Sequence, residues 1–201
     1  MLEPITATTD FLLSFENLLF SLIVLLKVKK PNRFMWFFFF LFIGLGAFQG
    51  ALFHGFSWAH NPEMWRFVTL FLVLGITFFP FAVSTLNWHI SVRFIWSFVA
   101  VLSLGVSFLL LESHNFLHIV IYELIMLLIC AIMSLSLIKK GIATGKYLLI
   151  GIALSFIAAG IQQSDLKILI FNNNDLFHLI QIIGQALFFM GWKRNYEGVL
   201  K

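Results

Sequence analysis

The chain has 201 residues, 61% hydrophobic and 11% charged, with mean hydropathy +0.98 and a formal net charge of +4. That composition excludes an ordinary soluble domain. The surplus positive charge calls for no nucleic-acid partner, because Lys and Arg fall mainly in the connections between apolar stretches. A membrane span needs about 20 mostly apolar residues, and seven stretches qualify: 10–28, 34–54, 65–86, 92–111, 117–138, 147–163 and 175–192.

The first stretch carries Asp10, Ser14, Asn17 and Ser21 at helical spacing, with Glu16 beside them. Residues three and four apart share a helical face, so these form one polar stripe. Nothing ahead of it has the basic region and short apolar core of a cleavable signal peptide, so the span is expected to stay. In the second stretch Gly46, Gly50 and His54 are spaced by four. The glycines admit a neighbouring backbone, and His54 projects from the end of that seam. Glu63 precedes the third stretch.

Between the fourth and fifth stretches lie His114 and His118, a pair that can chelate one metal if helical. Cys130 in the fifth is the one cysteine, so no intrachain disulfide is expected. In the seventh, Asn174, His178, Gln181 and Gln185 repeat the spacing of the first stripe. Two matched stripes predict two helices facing a shared interior. His60 and His89 read as ordinary loop histidines, and the six tryptophans fall mostly near span ends, as an aromatic belt would.

With the N-terminus outside, the inner loops and tail hold 11 of the 13 basic residues and the outer segments only Arg66 and Lys167. The positive-inside rule then predicts N-out and C-in. The expectation is an all-α, single-domain seven-transmembrane bundle over 1–201. Its polar residues gather near the non-cytoplasmic face. No glycine-rich phosphate loop, GxSxG or HExxH is present, and residues 175–192 contain no lysine for a retinal Schiff base.

The segments Gly50-Ala-Leu-Phe-His54-Gly55, Asn61-Pro-Glu63-Met-Trp65 and Asn174-Asp-Leu-Phe-His178 resemble motifs of a seven-span hydrolase superfamily, that of the alkaline ceramidases and the progestin and adiponectin receptors. The resemblance covers the whole layout and implies zinc held by His54 and His178, with zinc-bound water attacking a lipid amide. Asn174 stands where the family's first HxxxH histidine would be, and Gly50 where a serine is usual. Asp175, Glu63, His114 or His118 would complete the ligand set. Glu63 or Asp175 would act as general base, and Asn174 or Gln181 would donate to the oxyanion. The acidic first span, with Asp10 and Glu16 beside Asn17, is similar to the ceramidase branch, which implies calcium.

Two readings follow. One is a ceramidase-like membrane hydrolase acting on a lipid amide or ester. The other is a non-catalytic receptor, sensor or accessory subunit that binds a small ligand or lipid headgroup. A transport pathway is disfavoured because the cytoplasmic halves of the spans carry few polar residues. Either way the partners are the bilayer and an amphiphilic lipid. Abundant Ile, Phe, Asn and Lys with compact loops points to a bacterial inner membrane.

Overall fold

The computed structural model describes residues 2–27, 33–86 and 117–199. It contains α1 (Pro4–Lys27), α2 (Arg33–Gly55), α3 (Pro62–Ser84), α4 (Leu117–Lys139), α5 (Thr144–Gln162) and α6 (Asn173–Val199). Among the described residues, β pairing is confined to one isolated bridge, Ile168 to Phe171. All six helices are long and apolar enough to cross a membrane, and this is an integral membrane protein. They answer the first, second, third, fifth, sixth and seventh expected stretches. The fourth, 92–111, lies outside the described residues together with His89 and His114.

Local chemistry places the helix starts. Asn61 caps α3, accepting from Met64 N–H at 2.9 Å, with Pro62 in the first turn. Ahead of α6, Asn172 and Asp175 cap each other reciprocally. Asp175 N–H donates to Asn172 Oδ1 at 2.9 Å and Asn172 N–H to Asp175 Oδ2 at 2.8 Å. The turn from α4 to α5 passes through Gly141 at φ +73°, a conformation that costs glycine nothing.

Close glycine contacts show how neighbouring helices run. Gly55, Gly50 and Gly44 of α2 meet Ala7, Asp10 and Leu18 of α1 in turn, so the two are antiparallel. Gly46 against Leu72, and Gly75 against Ile43, set α3 antiparallel to α2. Gly145 packs on Ser134 and Ile138 across the α4–α5 turn, while Gly151 and Gly191 set α5 antiparallel to α6. The ring closes where α6 returns to α1. Thr6 meets Asp175, Thr9 meets His178, Phe20 stacks on Phe189 at 4.2 Å, and Tyr196 donates to Lys27 O. Every pair is separated by 169 positions, so α1 and α6 run parallel in one register. Helices α1, α3, α4 and α6 therefore share one direction. α3 ends, and α4 begins, at opposite ends of the bundle.

The two ends differ. At the end holding Lys27, Lys139, Lys140 and Lys193, an aromatic core of Trp36, Phe39, Phe40, Phe79 and Phe188 fills the bundle. Its rings meet edge-on, tilted or stacked at 4.5–6.3 Å, contacts that add to their area burial. Trp36 and Trp192 are buried in this core, so these two tryptophans do not join an outward-facing aromatic belt. On α1, Leu12, Phe15, Leu19, Leu22 and Leu26 are exposed, while Asp10, Ser14, Asn17 and Ser21 are buried. Water-free surroundings invert the usual sorting, and the stripe turns inward because only there can it find partners.

Candidate functional site

At the other end the helices surround a cavity of about 300 Å³, within the lower range for small-molecule sites. Its polar lining comes from Asp10 of α1, His54 of α2, Glu123 of α4, Gln162 of α5, Gln163 just beyond it, and Asn174, His178, Gln181 and Gln185 of α6. Leu13, Ile43, Val68, Leu72, Ile76, Ile119 and Phe177 make its apolar walls, and Trp65 also faces it.

Space for the polar wall comes from Gly50. A Cβ there would lie 2.9 Å from Asp10 Oδ2, so only glycine lets this carboxyl seat against α2. Asp10 Oδ1 then lies 3.2 Å from His178 Nε2. On the other side of that ring, Nδ1 is 3.0 Å from Thr9 Oγ1, whose hydroxyl proton goes to Thr6 O, also at 3.0 Å. With that proton spent, Nδ1 must be the donor to Thr9. Both nitrogens of His178 are engaged by protein. The Thr–His–Asp series is not an activated nucleophile, because the ring donates to Thr9 rather than accepting its proton, and Thr9 does not line the cavity, whereas Asp10 does.

His54 is held differently. Its Nδ1 lies 3.0 Å from Glu3 Oε2, an ion-pair distance without hydrogen-bond alignment, and its carbonyl accepts from Glu3 N–H at 2.9 Å. Nε2 has no protein partner among the described residues. Gln181 Oε1 accepts from Ser155 at 3.1 Å, which turns its amide N–H groups toward other partners.

The other expected residues are placed as follows. Asp175 is buried with both oxygens committed, Oδ1 accepting from Thr6 at 2.7 Å and Oδ2 closing the cap of α6. Glu63 is exposed in the first turn of α3 and does not line the cavity, where it favours the positive helix end. Asn17 is wholly buried with Nδ2 donating to Leu13 O and Oδ1 unpartnered among the described residues. Glu16 is half-buried with Oε2 unpartnered among the described residues, and neither residue lines the cavity. His118 begins α4 outside the cavity lining.

Among the described residues, no three His, Cys, Asp or Glu side chains gather with the spacing of a metal site. His178 has no lone pair to spare, and Asn174 is a poor zinc ligand. The described donor set does not fit zinc. Nor does it fit calcium, for Glu16 does not join Asp10 at the cavity, and that ion takes six to eight oxygens.

Three contributors escape the sequence analysis. Thr6 and Thr9 lie ahead of the expected first span, and Glu123 is a single carboxyl inside the apolar run Ile119–Ile125. An ionisable residue within a span was itself the available signal for Glu123.

Residues 5–197 match the profile of a family of unknown function, DUF6962. The chain belongs to that family. No curated protein and no solved structure matches it. The match runs from the start of α1 to the end of α6, so this DUF6962 chain carries both stripes of its cavity inside the family region.

Proposed function

We propose that this protein is a seven-span membrane receptor or accessory subunit whose cavity holds a small amphiphile. The carrying observation is the cavity itself: a polar wall of carboxyl, imidazole and amide groups facing apolar walls from α2, α3 and α4. Such a site suits a molecule with one polar head and one short apolar body. The opposite ends at which α3 stops and α4 starts support the seven-span reading. The basic end faces the cytoplasm, in keeping with a bacterial inner membrane, and the cavity opens toward the other side.

The experiment is titration of octanol into the protein in lipid nanodiscs, read by the emission of Trp65 against a Trp65→Phe blank. Val68→Phe, filling the cavity, should abolish the response. Leu19→Phe, on the exposed face of α1, should leave it intact. Equal responses from Val68→Phe and wild type would refute the binding reading.

One observation favours hydrolysis as a second reading. His54 lines the cavity with no partner at Nε2 among the described residues and a carboxylate 3.0 Å from Nδ1, the arrangement of a general base. In that reading Glu3 orients the ring, His54 takes a proton from water, and the amide N–H groups of Asn174 or Gln181 stabilise the oxyanion of a lipid amide or ester. It predicts turnover of such lipids that Glu3→Gln lowers and His54→Ala abolishes.

A further inference from the structure

The cavity's chemistry is one-sided. Among its lining residues are the carboxyl groups of Asp10 and Glu123 but no Lys or Arg. Asp10 is already near His178, at 3.2 Å. Glu123 makes no hydrogen bond or ion pair among the described residues, although it sits in the second turn of α4 within a membrane-spanning helix. Carboxyl groups at such depth ordinarily have a partner, because lipid offers none. Gln185 adds an independent observation. This residue is 6% exposed, lines the cavity, and its Oε1 has no hydrogen-bond partner among the described residues. A buried acceptor left empty costs more than a typical bond returns, so a donor is owed at this position too. Glu123 and the Gln185 oxygen are thus acceptors left without donors on the cavity wall.

Building on the binding reading above, we infer that the cavity's ligand is an amine-bearing amphiphile whose ammonium head is met by Glu123 and Gln185, with Asp10 facing it across the cavity. An ammonium group brings three donors and no acceptor, which matches this wall. A carboxylate or phosphate head would face two carboxyl groups with no Lys or Arg among the lining residues to balance it. A plain alcohol brings one donor and leaves Glu123 without a counter-charge. The apolar walls of α2 and α3 take the chain of any of these, so the head alone discriminates.

The test compares octylamine, octanol and octanoate at one salt concentration in zwitterionic nanodiscs, with the Trp65 readout. Octylamine should bind about tenfold or more tighter than octanol, the scale of one hydrogen-bonded charge. Octanoate should bind weakest. Glu123→Gln keeps the side-chain volume and should cost octylamine about that tenfold, several times more than it costs octanol. Asp10→Asn should have a smaller effect on the amine. If octanol binds and Val68→Phe blocks it, yet the amine has no preference or Glu123→Gln does not alter it, the charge inference falls and the binding reading stands. If no probe binds, both fall.

Discussion

Replacing Gly50 by alanine tests how the polar wall is built. The new Cβ would sit 2.9 Å from Asp10 Oδ2 and 3.3 Å from Cγ and Oδ1. Ordinary contacts begin near 3.4 Å, so Asp10 must retreat by about half an ångström in a short side chain that is 4% exposed. Overpacking of this kind costs about 1–3 kcal/mol. Against that, Gly→Ala in a helix returns about 0.5–1 kcal/mol through the unfolded chain. The net expectation is a loss of about 1–2 kcal/mol, with weaker amphiphile binding as Asp10 leaves His178. Gly160→Ala in α5 is the reference, since its Cβ meets nothing within 4 Å; that variant should gain about 0.5–1 kcal/mol. Reversible unfolding in mixed detergent micelles measures both. Repeating Gly50→Ala in an Asp10→Ala background isolates the clash, and there it should become as benign as Gly160→Ala. Should Gly50→Ala match Gly160→Ala in the wild-type background, Asp10 is not seated against α2 and the account of the wall is wrong.

Asp175→Ala should destabilise the protein by about 1–3 kcal/mol, because it leaves the buried Thr6 hydroxyl without its acceptor and opens the cap of α6. Asp175→Asn, which keeps one oxygen for Thr6, should cost less. Equal unfolding curves for all three proteins would remove the structural role assigned to this residue. Single cysteines at His60 and Ile170, in a Cys130→Ala background, should react with impermeant maleimide from outside intact cells, while one at Ile142 should not. Reaction at Ile142 alone would reverse the orientation.

Much of this architecture was legible from hydropathy and spacing, because a bilayer demands long apolar helices and punishes every other arrangement. The facing of the two stripes was legible for the same reason: Asp10, Ser14 and Asn17 had to turn inward, and Asn174, His178 and Gln181 had to meet something. Helix starts were less so. The first expected span begins at Asp10, where apolar residues begin, yet α1 starts six residues earlier at Pro4. Hydropathy marks where lipid contact begins, not where helical hydrogen bonding begins, so Thr6 and Thr9 went unread. The roles of Asp175 and Glu63 were not legible either. A carboxylate that caps a helix and one that faces a cavity look alike in sequence, and only the commitment of both Asp175 oxygens tells them apart.

The single register shared by α1 and α6 bears on how the molecule is made. A chain inserts from its N-terminus, so α1 enters the bilayer first and the helix that completes its polar stripe enters last. Until then Asp10, Thr6 and Thr9 lack Asp175 and His178, and the cavity has no sixth wall. The first helix must therefore wait, with a carboxyl and several hydroxyls facing whatever the insertion machinery or the lipid interface can offer. Chains cut short before residue 173 would hold five of the described helices yet no closed ring, and quality control would meet them as proteins with an exposed polar seam in the membrane.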